Sequence, residues 1–164
     1  MTSVSLSTSA QRVQDALDAA GVSARIVEYD VPARTSAEAA AVLGCTVGQI
    51  AKSLVFKTAS GAPVLVIASG ALRVDERRIG ALAGESIGKA DAAFVRTVTG
   101  YAIGGIPPLA HAQPLRTFID RNLLQYDTVY AAGGTPHAMF PIAPADLVRV
   151  AGGEVADTAP VPAT

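Results

Sequence analysis

Ser53-Leu54-Val55-Phe56-Lys57-Thr58, then Ala59-Ser60-Gly61-Ala62, then Pro63-Val64-Leu65-Val66-Ile67-Ala68: two apolar, β-leaning runs flank four residues of turn composition. This spacing predicts a β-hairpin. A hairpin joins antiparallel neighbours, so the sheet that contains it cannot be the all-parallel sheet of a regular doubly wound fold. Upstream, Val13, Ala16, Leu17 and Ala20 recur at helical spacing, and Gly21 reads as a stop, which predicts a helix over 11–20. Residues 24–29 read as a strand. Thr35 with Glu38, and Thr46 with Gln49, match capping boxes and predict a helix ending near Leu43-Gly44 and a short helical turn carrying Ile50 and Ala51.

Downstream of the hairpin, residues 75–82 predict a helix with Ile79 and Leu82 facing inward, and Asp91 caps a short helix running to about Thr97. Residues 115–119, 128–132 and 138–142 read as strands, and 144–147 as one helical turn. The irregular alternation predicts an α/β fold: a single domain with a mixed, barrel-like β-sheet surrounded by helices. Residues 1–10 are expected to be a flexible N-terminus, 11–151 the domain, and the Ala/Pro-rich stretch 152–164 a loose C-terminal tail.

Length and composition narrow the function. A chain of 164 residues is of single-domain size and, with half its residues hydrophobic, can form a core without cross-links. One cysteine, Cys45, excludes an internal disulfide. Thirteen basic against fourteen acidic residues argue against a protein that coats nucleic acid over its whole surface, while leaving room for a local basic patch. The polar, Ser/Thr-rich start lacks the basic and apolar regions of a signal peptide, and no apolar run spans a bilayer, so a cytoplasmic location without membrane attachment is expected.

Several chemistries fail on spacing. Gly84-Glu85-Ser86-Ile87-Gly88 matches a nucleophile elbow, but that motif needs a strand before it and a helix after it, and the pattern here reads otherwise. His111 and His137 have no partners at zinc-ligand spacing, and there is no phosphate-loop or dinucleotide signature, so neither metal nor cofactor is expected. Two features remain. Lys52 lies between an apolar turn and an apolar strand, where a lysine ordinarily lays its stem over the core and solvates its charge. Residues 100–108 combine three glycines with two prolines, a composition that suits either a tight corner or a stiff loop bringing backbone N–H groups against a ligand.

Together these stretches resemble a known family. Gly48-Gln49-Ile50-Ala51-Lys52-Ser53-Leu54-Val55-Phe56 is similar to the lysine motif of the YbaK/EbsC proteins, free-standing relatives of the editing domain inserted in bacterial prolyl-tRNA synthetases. Ser69-Gly70 followed by Arg73-Val74-Asp75, and Thr99-Gly100-Tyr101-Ala102-Ile103-Gly104-Gly105-Ile106-Pro107-Pro108, resemble the same family, with Gly104 and Pro108 fitting its G-x-x-x-P loop. Asp120 and Ala132-Gly133-Gly134 complete the pattern, which covers about residues 11–150. Relatives often carry Gly followed by His or Gly at that last turn. Here Gly134 follows Gly133 and the nearest histidine is His137, so no histidine role is carried over.

The resemblance implies a trans-editing hydrolase. It would deacylate mischarged aminoacyl-tRNA, above all proline tRNA carrying a small wrong amino acid, with transient association with a synthetase. It implies catalytic roles for Lys52, Gly104 and Pro108. It implies substrate contacts at Gly105, Ile106, Pro107, Gly133, Gly134, Ser69 and Thr99. Arg73, Arg77 and Arg78 form the candidate patch for the tRNA acceptor end, and each also reads as part of a solvated helix face. Ile50, Phe56, Ile67, Ile103 and Ile106 are candidate pocket walls. A non-catalytic ligand- or tRNA-binding regulator on the same fold is the alternative, and a serine hydrolase using Ser86 is a third reading.

Overall fold

The computed structural model describes residues 5–159. The strands are β1 (Val27–Glu28), β2 (Ile50–Thr58), β3 (Pro63–Ser69), β4 (Ile87–Lys89), β5 (Arg116–Asp120), β6 (Val129–Ala132), β7 (Ala138–Ile142) and β8 (Glu154–Ala156). The helices are α1 (Thr8–Ala19), α2 (Ser36–Leu43), α3 (Glu76–Ala83), α4 (Ala92–Thr99) and α5 (Pro144–Ala151). Short 3-10 turns occupy Val47–Gln49 and Arg121–Gln125.

The expected hairpin organises the sheet. β2 and β3 pair antiparallel from Ala51 opposite Ser69 to Lys57 opposite Pro63. The strand order is β1-β7-β6-β2-β3-β5-β8, with β4 added to β2. The pairs β2–β6, β3–β5 and β5–β8 are parallel and the others antiparallel, so the sheet is mixed as expected. Strand alternation sends Ala51 and Val55 into the main core with Leu17, Val98 and Ile106, and Phe56 into a second cluster with Val66, Ile79 and Phe118.

Local chemistry sets the helix ends. Thr35, Asp75 and Asp91 accept backbone N–H bonds at the starts of α2, α3 and α4, while Gly44, Gly84 and Gly100 end the same helices in the left-handed conformation. The 24–29 strand shortens to two residues because β1 meets only Met139 and Ala138 of β7. Before it, the buried Gln14 side chain takes over the backbone groups of Ile26 and Ala24.

Other differences have similarly local causes. Leu82 is 37% exposed, and Ile79 alone of the expected pair enters the core. β4 was not expected. It is fixed to the hairpin turn where Ala59 N donates to Ser86 O and Glu85 accepts from Ser60 N. Ser86 thus sits between a helix end and a strand, the reverse of a nucleophile elbow. α1 begins at Thr8, inside the expected N-terminal tail, and α5 runs two turns until Gly152. Glu154–Ala156 then pairs with β5, so the expected tail contributes an edge strand. Residues 1–4 and 160–164 lie outside the described residues.

Candidate active site at the open edge of β2

β2 is paired without a break along one side only. β3 covers seven of its residues, whereas on the other side β6 reaches Ile50 and Ala51 and β4 reaches residues 56–58. Residues 52–55 have no strand partner there. Two cavities, of about 290 and 310 Å³, lie against this open edge and share Lys52, Ser53, Leu54, Ile103 and Ile106. The first continues to Arg34, Thr35 and Ser36 at the start of α2, and to Ile50, Met139 and Gly104. The second continues to Phe56, Arg73, Val74, Glu76 and Lys89.

Lys52 stands where the two cavities meet. Its Nζ donates to the Leu72 carbonyl at 2.8 Å. Partial burial depresses its pKa below the ordinary lysine value, opposed by the negative charge of Asp120. Asp120 is fully buried at the end of β5. Its Oδ2 accepts from Ser69 N at 3.0 Å, and its Oδ1 accepts from Asn122 N and Nδ2, each at 2.9 Å. Ser69 in turn donates its hydroxyl to Gly48 O at 2.8 Å. Ser69 and Asp120 therefore brace the ends of β3 and β5 and tie them to the turn that leads into β2, and Ser69 does not line either cavity.

The Gly/Pro loop crosses the opening from the other side. Thr99 Oγ1 donates to Val95 O and accepts from Tyr101 N, and Ala112 N returns to Thr99 O, so Thr99 closes the base of the loop. The buried Tyr101 hydroxyl donates to Ala110 O at 2.8 Å, and Ala110 holds φ at +65°. His111 Nε2 lies 2.7 Å from Pro107 O, and burial lowers its pKa. Gly104 has φ +96°, a conformation open to glycine at little cost. Gly105 presses its backbone on Thr135, where a Cβ would fall 2.6 Å from the Thr135 Cα.

The predicted site residues accordingly divide. Lys52, Gly104 and Ile106 share the first cavity, with Ile103 and Ile50 as walls, and Arg73 and Phe56 line the second. Gly105 and Pro107 support the loop by packing and hydrogen bonding. Pro108 lines a separate cavity with His111 and Val150. Gly133 packs on Ile26 and Ala138, Gly134 meets the Ser9 backbone, and neither lines the two cavities. Ile67 is wholly buried core. Arg77 lines a third depression beside Gly84, and the Arg78 N–H serves the α3 cap. His137 Nδ1 lies 3.0 Å from Tyr29 O and ties the 135–138 turn to the β1 segment. Arg34, Thr35, Ser36 and Ser53 entered no site expectation, whereas Lys89, expected as an outlying member of the basic patch after Arg73, lines the second cavity. Thr35 was visible only as a helix cap, and nothing local marks Arg34, Ser36 or Ser53.

A family model of the aminoacyl-tRNA editing domain matches residues 30–150. The chain belongs to the aminoacyl-tRNA editing domain family. A candidate trans-editing enzyme for prolyl tRNA synthetase, known as a crystal structure, is 44% identical, with a TM-score of 0.89 over 96% of this chain and 100% of that one. The hypothetical protein APE2540, also a crystal structure, is 34% identical, with a TM-score of 0.85 over 91% of this chain and 99% of that one. The uncharacterised protein YwhH of Bacillus subtilis (strain 168) is 26% identical over 122 residues, 74% of this chain and 78% of its own. The editing domain's role is in tRNA editing, with aminoacyl-tRNA as the substrate class. Among the described residues no helix is long and apolar enough to cross a membrane.

Proposed function

We propose that this editing domain hydrolyses the ester of mischarged aminoacyl-tRNA in trans, in the cytoplasm, with proline tRNA carrying a small wrong amino acid as its foremost substrate and a synthetase as a transient partner. The observation that carries the reading is the position of Lys52, a partly desolvated cation where two cavities meet at an unpaired strand edge. Ester hydrolysis needs a placed water, a home for the developing oxyanion and a proton for the leaving hydroxyl. Lys52 supplies fixed positive charge to the carbonyl or to the terminal phosphate and sugar. Backbone groups of the loop around Gly104 hold the ester or the terminal ribose, with Pro108 acting from behind as a stiffener. The 2′-hydroxyl of the terminal adenosine helps to place the water.

Arg73 and Lys89, at the second cavity, face the RNA in this reading, with Arg77 and Arg78 nearby on α3. The first cavity is small, which favours a small amino acid; one methylene shifts such selection by about 1–3 kcal/mol. The test is a deacylation panel: proline tRNA charged with alanine, cysteine, serine, threonine and proline, and other tRNAs charged with the same amino acids. Turnover at catalytic enzyme concentration, lost in Lys52→Ala with an unchanged circular dichroism spectrum, is the expected result. Stoichiometric binding without turnover identifies a regulator instead.

A further inference from the structure

The gap in the β2 ladder turns main-chain groups that no strand pairs toward the site. Gly70 N donates to Ile50 O at 2.7 Å, and Thr58 N donates to Ala62 O at 2.8 Å. Main-chain groups alternate from edge to edge along an antiparallel strand, so Ile50, Lys52, Leu54, Phe56 and Thr58 turn theirs toward β3. Ala51, Ser53, Val55 and Lys57 turn theirs the other way. β6 pairs with β2 as far as Ala51, and β4 pairs from Phe56 onward, which leaves Ser53 in the middle of the gap and Val55 at its end beside β4. The Ser53 hydroxyl is also buried and has no hydrogen-bond partner in the protein. A buried hydroxyl left unpaired costs about 1–3 kcal/mol, which a bound group can recover. Ser53 lines both cavities.

We infer that Ser53 is the station that holds the main-chain part of the aminoacyl group. In a hydrogen-bonded antiparallel pair, two facing residues exchange N–H···O bonds in both directions. An esterified amino acid carries the same two functions on one residue, an α-ammonium and a carbonyl. It docks on Ser53 as a one-residue strand: the ammonium donates to Ser53 C=O and to its Oγ, and the ester carbonyl accepts from Ser53 N–H. The edge-strand mode of peptide recognition is here reduced to a single residue. The N–H then becomes a fixed donor for the charge that develops on that oxygen during attack by water. The loop around Gly104 is left to hold the ribose, and the first cavity to select the side chain.

This inference rests on the deacylase reading, and its test separates the two. The probes are adenosines carrying an alanyl or a propionyl group in a stable 3′-amide linkage, which differ only in the ammonium. The alanyl compound is expected to bind the parent protein at least tenfold more tightly. Ser53→Pro removes an N–H that the ladder does not use, at an open edge where proline is tolerated. It should weaken binding of both compounds at least tenfold, narrow the preference because the hydroxyl is lost with the N–H, and lower the deacylation rate about 100-fold. Ser53→Ala, which deletes only the hydroxyl, should narrow the preference while keeping its direction. Equal affinity of the parent for the two compounds overturns the inference and leaves the deacylase reading standing. A folded Ser53→Pro protein with parental affinity for both compounds and parental rate does the same. If Ser53→Pro does not fold, the comparison of the two compounds on the parent protein decides alone. Failure of the parent to bind either compound, together with failure to deacylate any member of the tRNA panel, overturns both.

Discussion

Ser69 N and the Asp120 carboxylate meet at 3.0 Å in the fully buried end of the sheet, so the residue that ends β3 is anchored to the residue that ends β5. The same carboxylate holds up the pKa of Lys52 against desolvation. Asp120→Asn keeps the shape but removes the charge and turns one acceptor into a donor. It should cost about 1.5–3 kcal/mol of stability, the range for hydrogen bonds to charged groups. It should also move the alkaline limb of the deacylation profile to lower pH. Chemical denaturation and a pH–rate series on the one variant check both effects.

Lys52 itself gives a pH signature. If its charge is what acts, activity relative to uncatalysed hydrolysis is constant at neutral pH. It then falls as pH rises through the folded-state pKa of Lys52, which lies below 10.5. The stability effect has the opposite sense: the unfolded chain holds this proton more tightly, so unfolding free energy from this group rises with pH between the folded value and 10.5. Lys52→Met should lose at least 100-fold in rate and remove the alkaline limb, with a melting temperature close to that of the parent.

The hairpin and most helix ends were legible in the sequence because their causes are local: apolar runs around a turn, and caps such as Thr35, Asp75 and Asp91. β4 and β8 were not, because three residues each carry no periodicity and become strands only by meeting an edge that the rest of the fold supplies. Lys52 was found through motif resemblance, since its spacing alone favoured a solvated residue. Pro108, Gly133 and Gly134 belong to the same motifs yet sit behind or beside the cavities, because a motif records where the chain must bend as well as what it must touch. Ser53 carried no signal: its significance lies in where β6 and β4 stop.

Gly105→Ala should impair the loop. The new Cβ would lie 2.6 Å from Thr135 Cα, a backbone neighbour that cannot rotate away, so about 1–3 kcal/mol of overpacking strain is expected along with reduced turnover. Gly88→Ala, with nothing within 4 Å of its added carbon, is the control and should leave melting temperature and rate near the parental values.

Ala110→Gly should act in the other direction on stability. Alanine at φ +65° bears roughly 1–2 kcal/mol of strain, of which glycine's greater freedom in the unfolded chain takes back about 0.5–1. A gain of between nothing and about 1.5 kcal/mol in denaturant unfolding is expected. Tyr101→Phe, which removes the hydrogen bond to Ala110 O, should lose about 0.5–1.5 kcal/mol in the same assay.

RNA affinity should depend weakly on salt. With Arg73 and Lys89 as the principal contacts, few counterions are released. Arg73→Ala should reduce the slope of log affinity against log salt by about one and weaken all tRNAs alike. A steep parental slope in filter binding would contradict so small a footprint.

β2 carries the ladder with β3 and the groups of the site on the same nine residues. A slip of its register by one position would send Ala51 and Val55 out of the core and Lys52 into it, while turning Ser53's main chain toward β3. Misfolding and inactivation are thus a single event at this strand. A population of molecules that is folded but mis-set at the site is suppressed by the core itself, and proofreading accuracy is protected by the same packing that keeps the domain from unfolding.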